Sequence, residues 1–278
     1  MSEVKRARVG SIEMAYEERG AGARPFVLVH GYTGSRDDFA DVHDALAERG
    51  RTLLVDQRGH GDSTNPGDPE AYGLEVQVDD LVGLLDTLAI ERCDLLGHSM
   101  GGMVALRLAL AHPDRVASLI LMDTSPEPIA LMPVPMMQAG ARLGREHGMG
   151  RVVDLMRAAP SPARAQASRR CEEEMGSDRY WERIRRKYES MDPEAMHALA
   201  AVLADHPPVV ERLGEIGCPT LVLVGEQDVP FLEPSRTLAE RIPGARLCVV
   251  ADAAHSPQLE NTAAWLDAVR AHLARARS

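Results

Sequence analysis

Gly97-His98-Ser99-Met100-Gly101 sits between an apolar run, Cys93-Asp94-Leu95-Leu96, and a stretch where Met103, Val104, Leu106, Ala109 and Leu110 recur at helical spacing. Strand, tight turn through a serine, then helix is the context in which a G-x-S-x-G pentapeptide becomes a nucleophile elbow. Gly97 and Gly101 lack a Cβ, so the chain can turn sharply there and strand and helix can approach closely. The serine is thereby pushed into the open. With Gly and Ser each near ~7% of residues, three fixed positions match by accident in roughly one chain of ten this long. The pentapeptide therefore carries weight only with its surroundings.

Those surroundings alternate. Val27-Leu28-Val29 and Thr52-Leu53-Leu54-Val55 flank an amphipathic stretch with Phe39, Val42 and Leu46 on one face, Ser35 at its start and Gly50 at its close. A helix-like stretch from Leu74 to Leu88 precedes the strand ending at Leu96, and Val116 to Met122 forms another apolar run. The alternation then stops. It resumes with Thr220 to Val224, a helix-like segment around Pro234 to Arg241, the run Leu247 to Val250, and a final helix from Asn261 to Ala274. Apolar strands alternating with amphipathic helices imply an α/β fold, a doubly wound, mostly parallel sheet covered on both faces. The interruption reads as helices separated by breakers such as Pro133, Pro160, Pro162, Gly176 and Pro207, and it holds 8 of the 13 methionines. Methionine suits both a helical core and a surface that receives apolar ligands.

The 278 residues are enough for one domain with an insertion, and 45% hydrophobic with 26% charged residues is an ordinary globular balance. A net charge of −11 argues against nucleic acid or an anionic membrane as partner. No apolar stretch approaches the ~20 residues of a membrane helix. The segment Met1-Ser2-Glu3-Val4-Lys5-Arg6 lacks the apolar core of a signal peptide, so a cytoplasmic location is expected. Cys93, Cys171, Cys218 and Cys248 show no C-x-x-C spacing and are expected to be reduced, buried thiols without a metal or disulfide role.

In a doubly wound sheet, functional residues collect just past the carboxyl ends of strands. There the chain carries His30-Gly31-Tyr32-Thr33-Gly34, then Asp56-Gln57-Arg58-Gly59-His60-Gly61-Asp62-Ser63, then Ser99, Asp123, Asp228 and His255. A serine hydroxyl is a poor nucleophile until a base removes its proton, and histidine has the pKa for that task. A carboxylate on the far ring nitrogen fixes the tautomer and stabilises the imidazolium. The order Ser99, Asp228, His255 is the serine–acid–histidine order of this architecture. Asp123 also follows a strand and stays open as the acid, although Thr124-Ser125-Pro126 suggests that it caps the next turn instead.

With these residues in order, the chain resembles α/β-hydrolase fold enzymes with a helical cap, in particular capped serine esterases and lactonases. The resemblance runs from about residue 12 to 274 and rests on His30-Gly31, the segment from Asp56 to Ser63, Gly-His-Ser-Met-Gly-Gly, Gly225-Glu226-Gln227-Asp228 and Ala254-His255-Ser256. It implies a core of residues 1–124 and 217–278, with a helical cap of residues 125–216 inserted after the sixth strand. It also implies an oxyanion hole from the backbone N–H groups of Tyr32 and Met100. Met100 opens the elbow helix, where free N–H groups and the helix dipole favour developing negative charge.

The remaining histidines and acids read as structural. His30, His60 and Asp62 are expected to hold their loops, and His98 is expected to pack among neighbours, pointing away from the substrate side of Ser99. Serine at the nucleophile position departs from epoxide hydrolases and dehalogenases of similar shape. Carbon–carbon bond hydrolases of this resemblance usually carry Asn before the serine and Trp after the histidine, where this chain has His98 and Ser256. The reading is thus an acyl hydrolase acting on a small-molecule ester or lactone, needing no metal or organic cofactor. Its rivals are a non-hydrolytic binding protein, a lyase, or a carbon–carbon bond hydrolase. Methionines in the cap, with only Arg58 as a nearby cation, point to uncharged or weakly charged esters with apolar acyl groups.

Overall fold

The computed structural model describes residues 3–130, 132–159 and 164–278; Met1, Ser2 and the breakers Pro160 and Pro162 lie outside them. The strands are β1 (Lys5–Val9), β2 (Ile12–Arg19), β3 (Phe26–Val29), β4 (Thr52–Val55), β5 (Cys93–His98), β6 (Val116–Met122), β7 (Thr220–Gly225) and β8 (Arg246–Val250). They form one sheet in the order β1-β2-β4-β3-β5-β6-β7-β8. The neighbours from β4 through β8 run parallel, whereas β2 is antiparallel to both β1 and β4.

The six parallel strands are the apolar runs of the sequence. Five of them, β3 to β7, are buried along their whole length because helices cover both of their faces, whereas β8 at the sheet edge leaves Leu247 and Val249 exposed. The hairpin β1–β2 escapes that pattern. Its inward residues Ala7, Val9, Ile12 and Met14 alternate with charged residues, since an antiparallel margin has one wet face. Strict alternation over these residues was the signal available for it.

Helices α1 (Ala40–Ala47), α2 (Leu74–Thr87) and α3 (Met100–Ala111) alternate with the early strands. Five more, α4 (Val134–His147), α5 (Met149–Ala158), α6 (Gln166–Met175), α7 (Ser177–Glu189) and α8 (Pro193–Ala204), lie between β6 and β7. The chain closes with α9 (Val229–Arg241), α10 (Pro257–Glu260) and α11 (Thr262–Arg277). On one face of the sheet, Leu81, Leu84, Met103, Leu106 and Leu238 pack from α2, α3 and α9. On the other, Phe39, Val42 and Leu46 meet Trp265, Val269 and Leu273 of α11.

The helices between β6 and β7 share the first of these cores. Met149, Met191 and Met196 are buried there, whereas Met136 is exposed. Of the cysteines, Cys93 and Cys171 are buried, but Cys218 and Cys248 are only half-buried, which corrects the expectation for those two. Among the described residues no helix is long and apolar enough to cross a membrane.

Candidate active site

Five adjacent strands deliver their carboxyl ends to one edge of the sheet: Tyr32 follows β3, Ser99 follows β5, Asp123 follows β6, Asp228 follows β7 and His255 follows β8. Ser99 adopts φ 52, ψ −118, a left-handed conformation costly for a side chain with a Cβ. Its N–H donates to the Met122 carbonyl at 2.9 Å, and its own carbonyl accepts from Thr124 Oγ1 at 2.6 Å. The two elbow glycines are required by contact. A Cβ on Gly97 would lie 2.2 Å from the Gly101 carbonyl oxygen, and one on Gly101 would lie 2.4 Å from that of His30.

Met100 is the first residue of α3, so its N–H has no partner within the helix. The Tyr32 loop lies against the elbow, since a Cβ on neighbouring Gly31 would sit 3.1 Å from that of Ser99. His30 and His60 brace this loop. His30 Nε2 accepts from the Gln57 N–H at 3.1 Å, and His60 Nε2 lies 2.6 Å from the Tyr32 carbonyl oxygen. Asp62 instead accepts from Arg36 at 2.6 Å.

Asp228 is buried and accepts from His255 Nδ1 at 2.7 Å, while His255 itself is half-buried. Phe231 stacks on the His255 ring with centroids 5.0 Å apart. His98 flanks it at 4.8 Å, with Nε2 donating to the His255 carbonyl at 2.7 Å. Burial, reinforced by the neighbouring His255, pushes the His98 pKa down to about 3, so the ring is neutral. Contrary to the sequence expectation, His98 does not point away. It lines the same pocket as Ser99 and His255.

That pocket encloses about 320 Å³. Ile129, Met132 and Leu203 from the inserted segment give it an apolar wall, and Tyr32, Ser99 and His255 a polar one. Ser99 and His255 share this wall without a direct hydrogen bond between them. Lys187 of α7 also reaches the pocket, where its Nζ meets Asp38 Oδ1 at 2.6 Å. Burial alone would raise the Asp38 pKa, but Lys187 holds it below the ordinary carboxylate value. Sequence reasoning missed Lys187 and Phe231, because nothing local connects either to Ser99. The cation it named, Arg58, forks onto Asp80 instead, with Nη2 donating to Oδ1 at 2.6 Å.

Asp123 also departs from expectation. It does not cap the turn into the inserted helices; there Ser125 Oγ accepts from the Glu127 N–H at 3.1 Å. Asp123 is fully buried at φ 46, and its Oδ1 accepts from the Gly225 N–H at 2.9 Å. One ligand-type atom each from Asp123, Asp228 and His255 lies within 4.8 Å of the others, a spacing that could hold a cation. A ring N–H donated to Asp228, however, leaves His255 Nδ1 no lone pair for a metal.

Residues 24–262 match the family model described as the alpha/beta hydrolase fold. A 2-hydroxymuconate semialdehyde hydrolase from Pseudomonas sp. (strain CF600) is 31% identical over 278 residues, covering 93% of this chain and 89% of that protein. Among solved structures, a thermophilic esterase from Thermogutta terrifontis (malate bound) matches with a TM-score of 0.84 at 30% identity, with 100% of both chains covered. The enol-lactonase from Burkholderia xenovorans LB400 matches with a TM-score of 0.82 at 28% identity, covering 97% of this chain and 100% of that one. A family match over most of the chain, joined to a relative 31% identical over 93% of it, makes this protein a member of the alpha/beta hydrolase fold family.

Proposed function

We propose that this hydrolase cleaves a carboxylic ester or lactone through an acyl-enzyme, with Ser99 as nucleophile, His255 as base and Asp228 as acid. The observation that carries the reading is the strained Ser99 on a pocket wall shared with His255, whose far nitrogen is held at 2.7 Å by Asp228. His255 Nε2 takes the hydroxyl proton as Ser99 Oγ bonds to the substrate carbonyl carbon. The oxyanion that forms is met by the backbone N–H groups of Tyr32 and Met100. Collapse breaks the ester C–O bond, and the leaving alkoxide takes the proton from His255. Water then attacks the acyl carbon with His255 as base, releasing the acid and restoring Ser99.

In this reading residues 125–216 act as a cap, since Ile129, Met132, Lys187 and Leu203 come from that segment. The apolar wall suits small to medium acyl groups, and the Lys187–Asp38 pair leaves the pocket without net charge. The solved esterase and enol-lactonase similar to this chain support ester or lactone chemistry. A second reading, carbon–carbon bond hydrolysis, is favoured by the 31% identical semialdehyde hydrolase. His98 and Ser256, where that subgroup carries Asn and Trp, weigh against it.

The test compares wild type and Ser99→Ala on p-nitrophenyl esters of increasing chain length, several lactones and a 2-hydroxymuconate semialdehyde. Ester or lactone turnover abolished by Ser99→Ala is expected, as is wild-type labelling by a fluorophosphonate. Full activity after EDTA treatment is also expected, because the chemistry uses only groups of the chain. Turnover of the semialdehyde alone would establish the second reading, and neither labelling nor turnover would leave a binding protein.

A further inference from the structure

Asp123 is a fully buried carboxyl that the proposed mechanism leaves without a task. Oδ1 accepts from the Gly225 N–H at 2.9 Å, while Oδ2 has no hydrogen-bond partner. Nearby stand the Asp228 carboxylate and His255 Nδ1, within the 4.8 Å cluster. The position is built. The Asp123 N–H donates to the Leu223 carbonyl at 2.9 Å, tying the end of β6 to β7, and φ 46 is a conformation Asp tolerates better than most residues.

Two carboxylates this close and away from water repel strongly, so one of them holds a proton. Asp228 faces the imidazole, accepting from its Nδ1 at 2.7 Å, a partner whose cationic form a carboxylate stabilises. Asp123 faces one N–H, and the charged groups bearing on it are the acids Asp228 and Glu260, with His255 beyond Asp228. Burial first, then Asp228, raises the Asp123 pKa well above the ordinary value.

Building on the triad reading, we propose that Asp123 is a positioning residue: a neutral carboxylic acid whose Oδ2 hydroxyl donates a hydrogen bond to the Asp228 carboxylate. That bond pins the carboxylate against His255 and draws off part of its charge. The proton stays on Asp123 throughout the cycle, so no bond breaks there. A donor to the acid tempers the basicity of His255, and its loss strengthens the pull of Asp228 on the ring proton.

The experiment compares full-length Asp123→Asn and Asp123→Ala with wild type, in kcat/KM against pH and in the infrared band of a protonated carboxyl. Asn keeps an acceptor for Gly225 and an N–H donor for Asp228. It is therefore expected to retain activity within a few-fold and to leave the acid limb in place. Ala is expected to lose roughly 10–100-fold, by analogy with the outer partners that orient metal-bound histidines, and to move the acid limb to higher pH. Wild type at neutral pH should show the band, and Asp123→Asn should lack it.

Should Ala fail to fold, the Asn kinetics and the band decide. An Asn variant as damaged as Asp228→Asn would mean an ionised Asp123 and overturn the proposal. So would wild-type turnover and an unmoved limb in Asp123→Ala, which would reduce Asp123 to a tie between strands. Activity lost to EDTA and restored by a divalent cation would put a metal, not a proton, between the carboxylates. Ser99→Ala assayed in parallel separates the two ideas, since activity retained there removes the triad reading whatever Asp123 does.

Discussion

At the scale of single residues, Ser99 carries backbone strain where a nucleophile is proposed. Strain of this kind costs of the order of 1–3 kcal/mol. Glycine adopts φ 52 without that cost, so Ser99→Gly is expected to melt no lower than wild type while losing ester turnover. A clear drop in its melting temperature would show that the serine conformation is not strained. Asp228→Asn is expected to lower turnover by roughly 10³–10⁴, because the amide can hold the imidazole in the wrong tautomer. More than a tenth of wild-type turnover in that variant, with an unchanged circular dichroism spectrum, would remove Asp228 from the acid role.

At the scale of elements, α7 is fastened to the sheet side of the pocket by charge. Lys187 pairs with Asp38, and Arg183 pairs with Asp41. The side chains of Lys187 and Asp38 are only 18% and 10% exposed, so the pair is worth more than a surface bridge. Lys187→Met strands the Asp38 charge beside Ser99. The expected loss is roughly 1–3 kcal/mol of stability, below the 3–5 kcal/mol of a fully buried pair. KM for anionic esters should rise more than KM for neutral ones, and Asp38→Asn added to Lys187→Met should recover part of the stability. Denaturant titrations that place the single variant level with wild type would show the pair to be idle.

At the scale of the whole molecule, buried imidazoles set the response to acid. His30 and His98 are pushed to about 3 and His272 to about 4, each chiefly by burial. Their folded pKa values lie below the unfolded value near ~6.5, so the unfolded chain binds more protons between them. Their contribution is full above pH ~6.5 and drains away as pH falls toward 3 to 4. Asp123 has the opposite sign. Its raised pKa, like that of buried Asp56 at about 6, gives stability at low pH that is lost as pH rises through that pKa, but the imidazoles outnumber these two acids. The urea midpoint should therefore fall steadily from pH 6.5 to 4. His272→Leu, remote from the pocket, should make that fall shallower without altering turnover, and an unchanged slope would contradict the assignment.

What the sequence determined by itself is what neighbours along the chain encode. Apolar runs of three to seven residues marked the six parallel strands. The glycines around Ser99 marked the elbow, and the order Ser99, Asp228, His255 marked the strand ends. These signals are local, because strand periodicity and turn chemistry act over a few residues. Only the tertiary structure decided the rest. It set Asp228 rather than Asp123 on His255, turned His98 into the pocket, drew Arg58 away to Asp80 and brought in Lys187 and Phe231. Each of those outcomes depends on which strand ends and helices become neighbours in space. Burial also works against what a residue's chemistry alone suggests, as it does for Asp123, whose pKa its enclosure raises well above the ordinary carboxylate value.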